Sequence, residues 1–321
     1  MINIALLSRW HVHADGYANS FLQDPDVKIT VVWDEEPDKG QEWARKFGVP
    51  FEPDLQKVLA RADVDAVSIC APTNMHKDII IAAAKAGKHI FTEKVLTTTL
   101  KDAKEVADVI KKSGVKFCIS YPHRTHSHIL YAKQIADSGV LGDINLLRVR
   151  NSHSGASDNW LPPHFYNLEQ CGGGAMMDLG AHGMYLSRWF LGKPKKITSM
   201  FNSRAGGALE ENAVCLIEFE NKAIAINETS FLSKNSPFAF ELYGTKGSLT
   251  IGGMGILLNV DQKLVIEKEQ LPAAAPMPIN QFLNVLKGTG DITFGIQDAV
   301  ELTELMDRAY ISYRENRMVE F

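Results

Sequence analysis

The feature that most narrows the fold is an alternation in the amino-terminal third. Short, unbroken apolar runs at residues 2–7, 27–33, 64–71, 89–92 and 115–120 are separated by segments with helical spacing. Those segments lie near residues 14–22, 39–47, 76–86 and 100–113, and Gly48, Gly87 and Gly114 stand just past three of them. Strands that are apolar on both faces and joined by helices describe a doubly wound parallel sheet of the Rossmann type. Ligands of such sheets sit beyond the carboxyl ends of the strands. Those ends are residues 8–13, Asp34, residues 71–74, Glu93-Lys94 and residues 121–124, and polar or unusual residues gather at all five.

From Asp143 the pattern changes. Strand-like runs appear at residues 144–150, 197–203, 213–219, 223–231, 238–243, 248–251, 256–260 and 264–267, many joined by short turns. This favours an α+β domain with an open, mainly antiparallel sheet, one face of which is free to meet another copy. Helices near residues 279–286 and 297–313 end the chain. A length of 321 residues exceeds what one core organises, so two domains are expected, residues 1–122 and 123–321. The C-terminal helix is free to pack back on the first. A net charge of −4 gives no electrostatic case for nucleic acid or an anionic membrane. No apolar span long enough for a membrane appears, nor a signal-like start. Cys70, Cys118, Cys171 and Cys215 show no metal or redox spacing, and a cytoplasmic setting is expected.

Asp34 stands about 20 residues beyond the first turn, where an acid accepts hydrogen bonds from a ribose diol and repels a 2′-phosphate. NAD is therefore expected over NADP. The other reading is a solvated acid in the cluster Asp34-Glu35-Glu36. The first turn, Ala5-Leu6-Leu7-Ser8-Arg9-Trp10-His11-Val12-His13, lacks the GxGxxG fingerprint. Here the expectation is that backbone amides meet a pyrophosphate, with donors from Ser8, Arg9, Trp10 and His11; the alternative is weakened or lost cofactor binding. Later, Gly172-Gly173-Gly174 lets the backbone approach another surface closely. Asp178 and His182 follow, four apart on one helix face. A carboxylate beside an imidazole orients it and raises its basicity, as a proton acceptor requires. An ordinary surface pair is the alternative. His11, His13, His123, His126 and His128 match no ligand spacing, and no metal is expected.

Together these residues resemble the Gfo/Idh/MocA family of sugar and cyclitol dehydrogenases over nearly the whole length. The resemblance is carried by Ala71-Pro72-Thr73-Asn74-Met75-His76, Gly87-Lys88-His89-Ile90-Phe91-Thr92-Glu93-Lys94, Tyr121-Pro122-His123-Arg124 and residues 172–192. Two departures stand out. The family's Glu-Lys-Pro is Glu93-Lys94-Val95 here, and its glycine positions fall at Ala5, Leu7 and Trp10. The resemblance implies a cofactor site that includes Ala71, Pro72, Thr73, Asn74, His76, Glu93 and Lys94. It implies that Lys94, Asp178 and His182 surround a reacting carbinol, which exchanges a hydride with nicotinamide. His182 would take the hydroxyl proton, Lys94 would stabilise the alkoxide, and Asp178 would hold a substrate hydroxyl or orient the imidazole. His123, Arg124, Trp160 and His164 join the expected substrate wall, with a sugar, sugar acid or cyclitol as substrate and a homodimer or homotetramer formed through the second sheet. For Lys94 the alternative is a solvated strand-end lysine; for Trp160 and His164, a packed loop. Two rival functions are a dinucleotide-binding regulator without turnover and a redox glycosidase that recycles bound NAD.

Overall fold

The early apolar runs form one sheet. In the computed structural model, which describes residues 1–204 and 206–321, the strands are β1 (Ile2–Leu7), β2 (Val27–Trp33), β3 (Ala66–Ile69), β4 (His89–Thr92) and β5 (Phe117–Ile119). Their order is β2-β1-β3-β4-β5 and every pairing is parallel. The helices between them are α1 (Ala14–Leu22), α2 (Pro37–Phe47), α3 (Leu55–Ala60), α4 (His76–Lys85) and α5 (Leu100–Ser113). α5 shows why these residues fold so: Thr99 accepts the Asp102 amide at its start, and Gly114 closes it at φ 69°. α3 was not expected. Six residues are too few to display an apolar period, and the start is marked only by Asp54, whose side chain accepts the Gln56 amide.

The second sheet has nine strands. The first is β6 (Ile144–Ser152), which follows helix α6 (Ser127–Asp137). Helix α7 (Leu168–Cys171), a wide π turn at Met176–Gly180 and helix α8 (Ala181–Leu191) come next. The remaining strands are β7 (Pro194–Asn202), β8 (Asn212–Phe219), β9 (Ile224–Ser230), β10 (Ala239–Gly244), β11 (Ser248–Gly252), β12 (Gly255–Asn259), β13 (Lys263–Ile266) and β14 (Val319–Glu320). Their order is β13-β12-β11-β10-β6-β9-β8-β7-β14. β6 and β9 pair in parallel at the centre, and the other pairings are antiparallel. One face packs on α8, which contacts β6 and β9. The alternation in β8 shows the other: Ala213, Cys215 and Ile217 are buried while Val214 and Leu216 are exposed.

Two compact units result, Met1–Ser120 with Pro276–Thr303, and Tyr121–Ala275 with Glu304–Phe321. The first unit thus takes in a segment beyond the expected boundary between residues 122 and 123, where only the C-terminal helix was left free to pack back. The reason is α9 (Pro278–Leu286), whose Ile279, Phe282 and Leu283 join the core of the first unit with Phe21 and Phe91. Burying each such side chain is worth about 1.5–3 kcal/mol. The last helix, α10 (Ile296–Glu315), is shared between the two units.

Candidate active site

In the first unit, the carboxyl ends of β2 and β4 hold buried acids. Asp34 is buried, and its two oxygens accept the Arg9 and Glu36 amides, both at 2.8 Å. Burial pushes this carboxyl up; the two amides oppose it. Both carboxylate oxygens of the neighbouring Glu35 are buried with acceptor capacity left open, the Ser8 hydroxyl being a donor close by. Burial pushes this acid up too, and the nearby Ser8 hydroxyl works against it. Buried acceptors left open are costly, and a vicinal diol would satisfy them. The residues at the end of β2 therefore fit the ribose of a dinucleotide, with Glu35 beside the expected Asp34.

The first turn closes without glycine. Ser8 is buried at φ 70°, and its Oγ accepts the Trp10 amide at 3.1 Å. The Trp10 amide thus closes the turn from within, and its side chain is buried. The Arg9 guanidinium pairs with Asp15 at 2.7 Å and lies 3.6 Å from Glu42. His11 is buried, and its amide donates to the Cys70 carbonyl.

Glu93, past β4, is the focus of the crevice. His13 Nδ1 lies 3.3 Å from its Oε2, and Tyr17 donates a short hydrogen bond to the same atom. Tyr17 Oη also lies 2.8 Å from Ser120 Oγ. Burial alone would raise the Glu93 carboxyl, but His11, His13 and Lys94 outweigh it and hold it well below the ordinary range. Ligand atoms of His11, His13 and Glu93 lie within 4.8 Å of one another, a separation open to a cation. His11 Nδ1 lies 3.2 Å from the His13 amide. Lys94 is buried, and the Lys94–Val95 peptide is cis.

His76, expected at the cofactor, has its ring nitrogens 2.9 Å from the carbonyls of Ala71 and Val95. It braces two loops, and burial pushes its pKa down. Ala71, Pro72 and Thr73 are buried; Asn74 stays exposed at the head of α4.

In the second unit the glycine run meets a buried carboxylate. Glu210 Oε1 accepts the Gly174 amide at 2.8 Å, the Met176 amide at 3.0 Å and the Tyr310 hydroxyl at 2.6 Å. A Cβ on Gly174 would lie 2.1 Å from the Glu210 carbonyl oxygen, and one on Gly173 would lie 1.9 Å from Tyr310 Oη. Burial pushes the Glu210 carboxyl up, and those three donors oppose it. Asn227 of β9 donates to the Gly180 carbonyl at 2.7 Å and secures the other end of the π turn.

That π turn changes one expectation. Asp178 lies in the wide turn and His182 in α8, so their spacing is not that of one regular α-helix. His182 is buried, and its Nδ1 lies 2.9 Å from Tyr185 Oη. Its ring contacts His123, with centroids 4.6 Å apart, and His123 stacks on Phe238 at 4.7 Å. The Arg124 guanidinium lies 4.7 Å over the Trp189 ring. Trp160 is 54% exposed and packs beside His153, which stacks on Phe231. Burial pushes the His153 imidazole down and the Asp178 carboxylate acts against that. His164 packs against Phe165, and its carbonyl accepts from Cys171 Sγ. The Cys171 thiol is pushed up to about 12 by burial, with Asp178 adding to the shift.

The second unit thus gathers His123, His182 and Tyr185 in one place and Trp160 with His153 in another. Glu35, Tyr17, Tyr185, Glu210 and Asn227 were missed from sequence. Each acts through a long-range contact or a buried polar atom, which periodicity does not display. The acidic run around Asp34 was the one signal that pointed toward Glu35.

Residues 12–121 match the NAD-binding Rossmann domain of an oxidoreductase family, and residues 129–250 match the C-terminal domain of the same GFO/IDH/MocA family. The scyllo-inositol 2-dehydrogenase (NAD(+)) of Bacillus subtilis is 30% identical over 243 residues, covering 71% of this chain and 67% of that protein. The levoglucosan dehydrogenase of Pseudarthrobacter phenanthrenivorans is 25% identical over 249 residues, covering 68% of this chain and 63% of that protein. The match thus spans about two thirds of the length of these relatives. The crystal structure of GenD2 from gentamicin A biosynthesis, in complex with NAD, superimposes with a TM-score of 0.84 at 25% identity, covering 100% of this chain and 96% of that one. With the parallel sheet, the buried acids at its strand ends and the glycine-anchored helix of the second unit, these matches make the chain a member of the Gfo/Idh/MocA family of NAD-binding oxidoreductases.

Proposed function

We propose that this protein is an NAD-dependent dehydrogenase that oxidises a secondary alcohol of a sugar, sugar acid or cyclitol. The observation that carries the reading is the burial of two working groups, Lys94 at the end of β4 and His182 in α8. Side chains of these types are kept from water where their charge or proton has a use. Bound NAD supplies the hydride acceptor. Asp34 and Glu35 hold the ribose and disfavour a 2′-phosphate, while Asn74 contributes along the crevice. His182 takes the hydroxyl proton as the carbinol is oxidised, and Lys94 stabilises the developing alkoxide. The ionised Glu93 gives Lys94 a countercharge. Asp178 holds a neighbouring hydroxyl. Trp160 offers an exposed aromatic face for the C–H side of a sugar ring, with His123, Arg124 and His164 lending polar edges. Val214, Leu216, Ile224 and Met200 on the open face of the second sheet suit a homodimer or homotetramer. Among the described residues no helix is long and apolar enough to cross a membrane, and we place the enzyme in the cytoplasm.

One observation favours a second reading. The Trp10 amide is spent within the first turn, which suits a dinucleotide-binding regulator without turnover. The test is to add NAD and a panel of polyols, glycosides and cyclitols to purified protein and follow reduced nicotinamide. Net accumulation of NADH supports the dehydrogenase. NAD binding with no reduction supports the regulator, and a cofactor that cycles without exchanging supports a redox glycosidase.

A further inference from the structure

We propose that Tyr185 fixes the tautomer of His182, its phenol oxygen accepting the Nδ1–H so that Nε2 presents its lone pair to the substrate hydroxyl. This rests on the reading of His182 as the proton acceptor. A histidine can act as a base through only one nitrogen at a time, and the hydrogen bond at the other nitrogen decides which. Behind a working imidazole that partner is an acceptor, ordinarily a carboxylate or a carbonyl.

The geometry gives this post to a phenol. Tyr185 Oη lies 2.9 Å from His182 Nδ1, three residues along α8 and on the same face. The His123 amide, a fixed donor, also donates to that oxygen, at 3.2 Å. With His182 protonated at Nδ1, two N–H groups converge on one oxygen, which has the lone pairs to accept both while its own proton turns elsewhere. The phenol is not free to swing away. Tyr185 is buried, and its ring stacks on the buried Tyr121 with centroids 4.3 Å apart and planes at 16°.

The opposite tautomer would reverse the chemistry. A phenol donating to Nδ1 leaves the proton on Nε2, which then donates to a carbonyl but takes no proton from an alcohol. With Tyr185 as acceptor the step balances. The C–H hydride goes to nicotinamide, the O–H proton goes to His182 Nε2, and the imidazolium keeps its Nδ1 proton on the Tyr185 oxygen until Nε2 returns its proton to solvent. Charged or titratable groups packed in this neighbourhood include His123, in ring contact with His182, His126, 5.1 Å from His123, His128 beside His126, Tyr121 stacked on Tyr185, and Arg124, next to His123 in the chain. Burial pushes the His126 and His128 imidazoles down.

Two measurements test the proposal. The first is two-bond proton–nitrogen correlation on wild-type protein carrying ¹⁵N-histidine, with His182 assigned by the spectrum of His182→Asn. Above the imidazole pKa the signal should be that of the Nδ1–H form; the Nε2–H form overturns the proposal, with no need for a Tyr185 variant to fold. The second is Tyr185→Phe. We expect kcat to fall roughly 10- to 100-fold, with KM for the polyol changed less than about twofold. The acid limb of the kcat pH profile should move to lower pH, because the imidazolium has lost its acceptor. A variant that keeps both the rate and the limb, or that loses rate with the limb unmoved, overturns the positioning role. If wild-type protein shows the Nδ1–H form yet oxidises no polyol, the dehydrogenase reading fails and the tautomer assignment survives. If it turns over with His182 in the Nε2–H form, the reverse holds.

Discussion

Two turns in this molecule solve the same problem in opposite ways. The turn after β1 and the run before α8 each bring main-chain amides to a buried carboxylate. In the first, the Arg9 amide meets Asp34 with no glycine present. In the second, the Gly174 and Met176 amides meet Glu210 through three successive glycines. The difference lies in what approaches. Around Asp34 the Arg9 amide meets a side-chain carboxylate, and Ser8 takes φ 70° with its hydroxyl receiving the Trp10 amide. Around Gly174 the main chain of Glu210 itself comes close, and its carbonyl stands where a Cβ would be. Glycine is indispensable where backbone meets backbone and replaceable where only the dihedral is unusual.

The comparison can be broken most easily at the second turn. Gly174→Ala sets a Cβ against a carbonyl that has no freedom to rotate. We expect a loss of roughly 3 kcal/mol or more, read by denaturant unfolding, and near-complete loss of activity. An alanine variant of parental stability would show that the close approach is not needed. Glu93→Gln is expected to come next, with a loss of about 1.5–3 kcal/mol near neutrality. The sign with pH follows from the depressed carboxyl of Glu93. Its stabilisation is fully present above the unfolded value of about 4.3 and disappears as pH falls through the folded value. The gap between variant and parent should therefore narrow as pH drops below about 4; a gap that ignores pH would mean the charge of Glu93 does not contribute. Ser8→Gly should have the smallest effect. It relieves a left-handed residue and removes the acceptor of the Trp10 amide, two opposed effects of about 1 kcal/mol each. A melting temperature within a few degrees of the parent is expected, and a collapse would place Ser8 with Gly174 as irreplaceable.

The alternation of apolar runs was enough to read the parallel sheet, because buried strands need unbroken hydrophobicity and their crossovers need helical periodicity. The second sheet was legible as mainly antiparallel from its short turns, but not its central parallel pair, β6 with β9, which depends on contacts some 80 residues apart. α9 was legible as a helix and not as part of the first unit's core, since its apolar face names no partner. Lys94, Asp178 and His182 were expected from residue type and the family resemblance, but the four-residue spacing of the last two hid the π turn that carries Asp178. Tyr185 and Glu210 could not be picked out, because a tyrosine in an apolar helix and a glutamate in a loop look ordinary until their hydrogen bonds are seen.

The most direct test of the account is Lys94→Ala, assayed for NAD affinity by equilibrium titration and for turnover with the best polyol of the panel. The account predicts NAD binding close to the parent and turnover reduced by roughly 100-fold or more, the scale of losing one group aimed at a developing oxyanion. Equal turnover in variant and parent would contradict it, because the buried ammonium would then take no part in the chemistry.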